Sequence, residues 1–220
     1  HPAVFCANAG DSRCVLARGR KAVNMSRDHK PMLKSERLRI KKAGGFVTAE
    51  GRVDGNLNLS RALGDFAYKS DKSLKPEEQK ISCEAEVRHM DLGAADEYLL
   101  IGCDGIFEKA TSQALVDFVL PRLRARERKE VARGAGSALS GSCSAFLDFN
   151  IAKDPAQEEG LGCDNMTLMV VRLSPEGASS TSQGARARKG GRRLLRATTI
   201  GASLPARPSV CKSRRRQRLI

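Results

Sequence analysis

Apolar residues fall in short, separated runs along this chain, and two of them abut an acidic dipeptide. Tyr98-Leu99-Leu100-Ile101-Gly102-Cys103 runs into Asp104-Gly105, and Cys163-Asp164-Asn165 runs into Met166-Thr167-Leu168-Met169-Val170-Val171. Runs of this composition predict strands buried on at least one face, with an Asp held at the rim of a sheet. A shorter run, Val4-Phe5-Cys6-Ala7, leads through Asn8-Ala9-Gly10 to Asp11. Cys14-Val15-Leu16-Ala17 and Ala22-Val23-Asn24-Met25 flank Arg18-Gly19-Arg20, the pattern of a β-hairpin. From Pro31 to Lys42 the spacing turns helical, with Leu33, Ile40 and Ala43 on one face. Gly44-Gly45 ends that run, as a helix stop or as a hinge; the same residue type serves both. Thr111 can cap a helix through Leu120 with Leu115, Val116, Val119 and Leu123 on one side, and Pro121 is expected to kink or end it. A second helix is expected from about Arg128 to Phe149, weakened by Gly134, Gly136 and Gly141. Asp154 to Gly162 reads as a polar loop that delivers Asp164.

Charge then divides the chain where hydrophobicity does not. Residues 174–220 hold 12 Lys or Arg against one acid, Glu176, so that +11 of the chain's net +14 lies there. The division predicts a domain over 1–173 and a basic, disordered tail over 174–220, since the tail lacks aromatic residues and the apolar surface needed for a core. Its clusters Arg186–Arg193 and Arg214–Arg218 can meet nucleic acid or an anionic surface through charge alone, but without stacking side chains they read first as solvated charge. At 220 residues and 40% hydrophobic content the chain can hold one good core. No apolar stretch is long enough to cross a membrane and no signal-peptide pattern is present. Seven Cys without paired metal spacing, several inside apolar runs, suit free thiols in a reducing compartment, which places the protein in the cytoplasm or nucleus. Cys14 and Arg20 alone have the spacing of a Cys-nucleophile phosphatase loop, but the residues between them read as strand.

The candidate chemistry is carboxylate chemistry. Asp-Gly and Asp-Asn are also ordinary turn dipeptides, and either one alone reads most simply as a turn. Their company changes the picture. In order along the chain stand Ala7-Asn8-Ala9-Gly10-Asp11-Ser12-Arg13, Asp28-His29-Lys30-Pro31, Gly51-Arg52-Val53-Asp54-Gly55-Asn56-Leu57, Ser60-Arg61-Ala62-Leu63-Gly64-Asp65, Cys103-Asp104-Gly105-Ile106-Phe107-Glu108 and Gly162-Cys163-Asp164-Asn165-Met166-Thr167. This collinear series, over about residues 3–173, resembles the metal-dependent serine/threonine protein phosphatases of type 2C, the PPM family.

The resemblance implies an α+β fold, a sandwich of two antiparallel β-sheets flanked by helices, with a binuclear Mg²⁺ or Mn²⁺ centre at one end. It implies hydrolysis of phosphoserine and phosphothreonine in protein substrates by metal-activated water, without a phosphoenzyme. Asp104 and Asp164 match the catalytic metal-binding residues, while Asp11, with Asp104 and Glu108, matches a third, weaker metal position. Glu108 stands where Asp is commoner, Asp54 where Asn is frequent and Phe107 where Trp is common. His29 matches a position taken as structural, with general-acid chemistry as the alternative. The family's phosphate-binding Arg and its Asp-Gly-His-Gly segment, whose Asp bridges both metals, are absent: the only Asp-Gly pairs are Asp54-Gly55 and Asp104-Gly105. The expectation is therefore the C-terminal portion of a phosphatase domain, lacking the N-terminal part and nearly inactive by itself. The alternative is a pseudophosphatase or phosphoprotein-binding module.

Overall fold

A computed structural model describes residues 2–130, 137–173 and 197–204. The order of elements is β1 (Ala3–Asn8), β2 (Arg13–Arg18), β3 (Lys21–Asn24), α1 (Lys34–Lys42), β4 (Glu86–Asp91), β5 (Asp96–Gly102), α2 (Asp104–Phe107), α3 (Ser112–Glu130), α4 (Ser137–Asn150), β6 (Met166–Leu173) and β7 (Ala197–Leu204). The fold is α+β, with two antiparallel sheets and helices: β1 pairs with β4, and a five-stranded sheet runs β3-β2-β5-β6-β7. The chain separates into two compact units, one of residues 1–4, 15–23 and 90–220, the other of residues 5–14 and 24–89.

In the first unit, β5 and β6 lie antiparallel with Tyr98 opposite Arg172 and Gly102 opposite Leu168. The end of β5 and the start of β6 therefore share one end of the sheet. Tyr98 and Leu100 of β5 and Met166, Leu168 and Val170 of β6 are buried against Leu115, Val116, Val119 and Leu123 of α3 and Cys143, Phe146 and Leu147 of α4. The strand residues and those of α3 are the ones whose pattern marks the strands and the first long helix in the sequence. Thr111 caps α3 as expected, its Oγ1 accepting the Ala114 N–H at 3.1 Å. The hairpin also forms, with Gly19 in its turn at φ +64°.

Three expectations are corrected here. Helix α3 does not end at Pro121 but continues to Glu130. Proline removes one helical N–H and disturbs one turn, while the apolar face that continues to Leu123 is buried on the far side of it. Residues 128–130 consequently belong to α3, and the second helix is described only from Ser137; Gly134 and Gly136 lie outside the described residues. In the segment read as a disordered tail, residues 197–204 form β7, paired in unbroken register with β6 from Met166–Leu204 to Leu173–Ala197. Thr198-Thr199-Ile200 has β propensity, and an unpaired edge of β6 offers a full row of backbone donors and acceptors. Both basic clusters of the tail lie outside the described residues.

In the second unit, α1 begins at Lys34, three residues after Pro31, and buries Glu36 and Ile40. Ile40 packs with Val53 and Ile81 in a small core. Gly44 settles as a helix stop. At φ +75° it lets the Gly44 N–H reach the Lys41 carbonyl at 3.0 Å and the Gly45 N–H reach the Ile40 carbonyl at 2.9 Å, the paired bonds of a Schellman ending.

Candidate metal centre

The sheet end where β5 stops and β6 starts carries three carboxylates. Asp104 opens α2, and Glu108 follows one helical turn later, its N–H bonded to the Asp104 carbonyl at 2.8 Å. Asp164 arrives on the loop before β6. Ligand oxygens of Asp104, Glu108 and Asp164 all lie within 4.8 Å of one another; Asp104 is half-buried and the other two are exposed. Asp104 Oδ1 accepts the Gly105 N–H at 2.9 Å, and Asp164 Oδ1 accepts the Asn165 N–H at 2.7 Å. Both acids thus have one oxygen oriented by the backbone of the residue that follows.

Close backbone approach brings α2 and the Asp164 loop together. A Cβ on Gly105 would stand 2.3 Å from the Asn165 carbonyl oxygen, so only glycine fits. A Cβ on Gly162, at φ +73°, would stand 2.6 Å from the Asn150 carbonyl oxygen. The buried Asn150 amide, at the end of α4, donates towards the carbonyls of Gly105 at 3.4 Å and Ile106 at 3.3 Å. Cys103 joins the two segments: its N–H bonds the Thr167 carbonyl at 3.3 Å, and its Sγ accepts the Thr167 N–H at 3.2 Å. Lys109 and Glu158 form an ion pair between the end of α2 and the 154–162 loop.

An oxygen-donor set of this kind fits a hard divalent cation. Two oxygens ligating one Mg²⁺ at about 2.1 Å lie no more than about 4.2 Å apart, so the carboxylates need to close by only about half an ångström. Three clustered carboxylates also repel one another, and a cation removes that repulsion. Sequence reasoning found all three acids. It missed Gly105, Asn150 and the Lys109–Glu158 pair, whose roles depend on segments 44 to 60 residues away, and Gly162, which packs on the end of α4; the polar Asn150 closing an apolar helix was the one available signal.

Asp11 belongs to the other unit, where it is buried and forms an ion pair with Lys30. His29 is also buried there, and the Gly10 N–H donates to its Nδ1 at 3.2 Å. Burial, with the nearby Arg61 charge, lowers its pKa against the pull of Glu36 and Glu86. A buried imidazole so held suits the structural role. Asp54, at φ +49°, accepts the Phe46 N–H at 3.1 Å and pairs with Lys80 at 2.8 Å, a conformation that Asn or Asp adopts readily. Cys14 is no nucleophile: burial, with Cys6 alongside, pushes its thiol up to about 12.

Comparison with known proteins gives the family of the chain. The family model for protein phosphatase 2C matches residues 1–138, and the chain belongs to that family. Probable protein phosphatase 2C 60 of Arabidopsis thaliana is 45% identical over 178 residues, covering 81% of this chain and 46% of the relative. Protein phosphatase 1G of Homo sapiens is 44% identical over 172 residues, covering 78% of this chain and 31% of the relative. Among solved structures, a phosphatase from a pathogenic strain of Toxoplasma gondii superposes with a TM-score of 0.64 at 27% identity, covering 91% of this chain and 52% of that one. The chain spans less than half the length of these two curated relatives.

Proposed function

We propose that this chain carries part of the metal centre of a serine/threonine protein phosphatase, whose substrates are phosphoserine and phosphothreonine proteins and whose cofactor is Mg²⁺ or Mn²⁺, binuclear in a complete domain. The convergence of Asp104, Glu108 and Asp164 carries this reading. A divalent cation bound there would supply Lewis-acid activation of water and charge neutralisation of a phosphate dianion. Asp104 and Asp164, each with one carboxylate oxygen oriented by the following backbone N–H, would hold it. Glu108 reaches the same point from one helical turn further on, with a longer side chain than Asp and a looser fit to an ion that demands near-octahedral geometry. Asp11 is assigned to a weaker site through the family resemblance, in competition with the Lys30 ammonium.

Residues 1–220 contain no Asp-Gly-His-Gly, and by themselves they are expected to hydrolyse little. Mn²⁺ titration by calorimetry is expected to show weak binding that Asp104→Ala or Asp164→Ala abolishes, with circular dichroism unchanged; binding that survives both substitutions overturns the site. Joined to an upstream segment with Asp-Gly-His-Gly, the chain is expected to hydrolyse phosphothreonine peptides in a Mn²⁺- or Mg²⁺-dependent, chelator-sensitive way. A joined protein that is folded and metal-loaded yet inert towards a broad phosphopeptide panel replaces the enzyme with the phosphoprotein-binding alternative. Among the described residues, no helix is long and apolar enough to cross a membrane.

A further inference from the structure

Helix α1 divides its charge between two faces. Glu36 and Ile40 are buried, and Glu36 meets Arg39 at 2.7 Å and Arg61 at 2.8 Å. The helix's single acid therefore faces inward. Its outer face carries Lys34, Arg37, Leu38, Lys41 and Lys42, all exposed. Spaced i, i+3, i+4, i+7 and i+8, these residues form one stripe along the helix. Leu38, 59% exposed, lies at its centre.

The positive charge of this stripe is largely uncompensated. Among the described residues, the side chains of Lys34, Arg37 and Lys41 have no hydrogen-bond or ion-pair partner. Lys42 has one, Glu78 at 3.2 Å, with its own side chain 73% exposed. An exposed pair of that kind holds weakly and can be exchanged. Other acids of the same unit are engaged elsewhere, Asp28 with Arg13, Asp54 with Lys80 and Glu86 with Arg88. Nor does the whole stripe serve the helix. Lys41 and Lys42 complement the dipole in the last turn, but Lys34 stands at the first position, where a cation is unfavourable. Lys34 with Arg37, and Arg37 with Lys41, set like charges one turn apart. A bound anionic group relieves all three conflicts.

We infer that the outer face of α1 docks an extended acidic segment of a partner protein, in which an apolar residue stands between two acids in the pattern acid-x-apolar-x-acid. Charge complementarity selects the acids and the exposed Leu38 selects the residue between them. The spacing agrees. Lys34, Leu38 and Lys42 recur every four residues, about 6 Å apart along the helix axis. In an extended chain alternate residues share a side about 6.7 Å apart. One acid thus meets Lys34, the apolar side chain covers Leu38 and the second acid meets Lys42 in place of Glu78, with Arg37 and Lys41 alongside. Nucleic acid is a poorer occupant, because the stripe has no aromatic side chain on which a base can stack. A bilayer is poorer too, since a single leucine among four cations gives no apolar face to insert. Docking here makes no use of the Asp104, Glu108 and Asp164 carboxylates and does not depend on their function.

The test uses the full chain and two fluorescent peptides of identical composition, one containing Glu-Ser-Leu-Ser-Glu and the other Glu-Glu-Ser-Ser-Leu. Because both carry the same charge, any attraction to the basic residues 174–220 is common to the two. Anisotropy is expected to show saturable binding of the spaced peptide several-fold tighter than that of the rearranged one, with amide chemical-shift changes over residues 34–42. Lys34→Glu combined with Lys41→Glu is expected to weaken the spaced peptide about tenfold and to remove its preference, with Mn²⁺ binding unchanged. Lys34→Gln with Lys41→Gln, which adds no new charge, is expected to act in the same direction and serves if the reversal unfolds the chain. Leu38→Ser is expected to abolish the preference between the peptides while leaving charge attraction in place. Equal affinity for the two peptides, no effect of the Lys34 and Lys41 substitutions in folded protein, or shift changes confined to other residues overturns the proposal. So does a titration in which phosphatidylserine-rich vesicles or a DNA oligonucleotide perturb the amides of α1 and the spaced peptide does not.

Discussion

The Glu36 carboxylate is buried on α1 and nevertheless charged. Burial alone raises its pKa, but hydrogen bonds from Arg61 and Ser60, with the charge of Arg39, bring it down to about 2. Arg39 meets it at 2.7 Å and Arg61 at 2.8 Å. Because the folded pKa lies below the unfolded value of 4.5, the stabilisation is complete above pH 4.5 and is lost as pH falls towards 2. The shift is worth about 3 kcal/mol. His29 acts in the same direction at higher pH: its lowered pKa means that the unfolded chain takes up a proton first, so stability falls as pH drops below 6.5. Glu36→Gln is expected to lower stability at pH 7 by about 3 kcal/mol, since it leaves two half-buried guanidiniums under-paired. That difference shrinks between pH 4.5 and pH 2.5 in thermal melts; parallel pH profiles for the two proteins contradict the ion cluster. Ser60 and Arg61 were visible in the sequence as a family motif, and Glu36 was not. Nothing in a local pattern shows that a helix buries a Glu until the arginines that neutralise it are placed.

At the scale of elements, glycines show which local signals carry tertiary meaning. Gly44 and Gly105 look alike in the sequence, each beside a helix boundary. The space beside Gly44 is open, so Gly44→Ala is expected to cost only the left-handed backbone strain, about 1 kcal/mol. Gly105→Ala drives a methyl into the Asn165 carbonyl and separates α2 from the Asp164 loop. It is expected to cost about 2–3 kcal/mol in denaturant melts and to weaken Mn²⁺ binding at least tenfold. Equal behaviour of the two variants in both measurements removes Gly105 from the construction of the site. Pro121 gives the converse lesson: a helix breaker by propensity, it is carried through α3 because the buried face on either side outweighs one lost hydrogen bond.

For the whole molecule, the described chain is two compact units, and the sheet of the first is closed at one side by a strand drawn from the basic tail. Gly201 lies in the middle of β7, opposite Met169. Gly201→Pro is expected to break the β6–β7 ladder, so that hydrogen exchange accelerates at the β6 amides facing β7 and stays slow at those facing β5. Exchange that is unchanged throughout β6 removes β7 from the sheet.

By itself the sequence determined β5 and β6, the β2–β3 hairpin, the cap of α3 and the identity of the acids, because each follows from neighbours a few residues apart. Asp104 and Glu108 share a helical turn for the same reason. Only the tertiary structure decided that Asp164 joins them, through the antiparallel register that sets Gly102 opposite Leu168 and the bare backbone contact of Gly105 with Asn165. The placing of β7 was equally a tertiary decision: its own pattern is weak, and the edge it completes belongs to a strand from which 23 residues separate it. Local propensity acts over one turn or one strand, whereas a metal centre needs charges from separate segments held together against their own repulsion, and only packing of the whole unit supplies that.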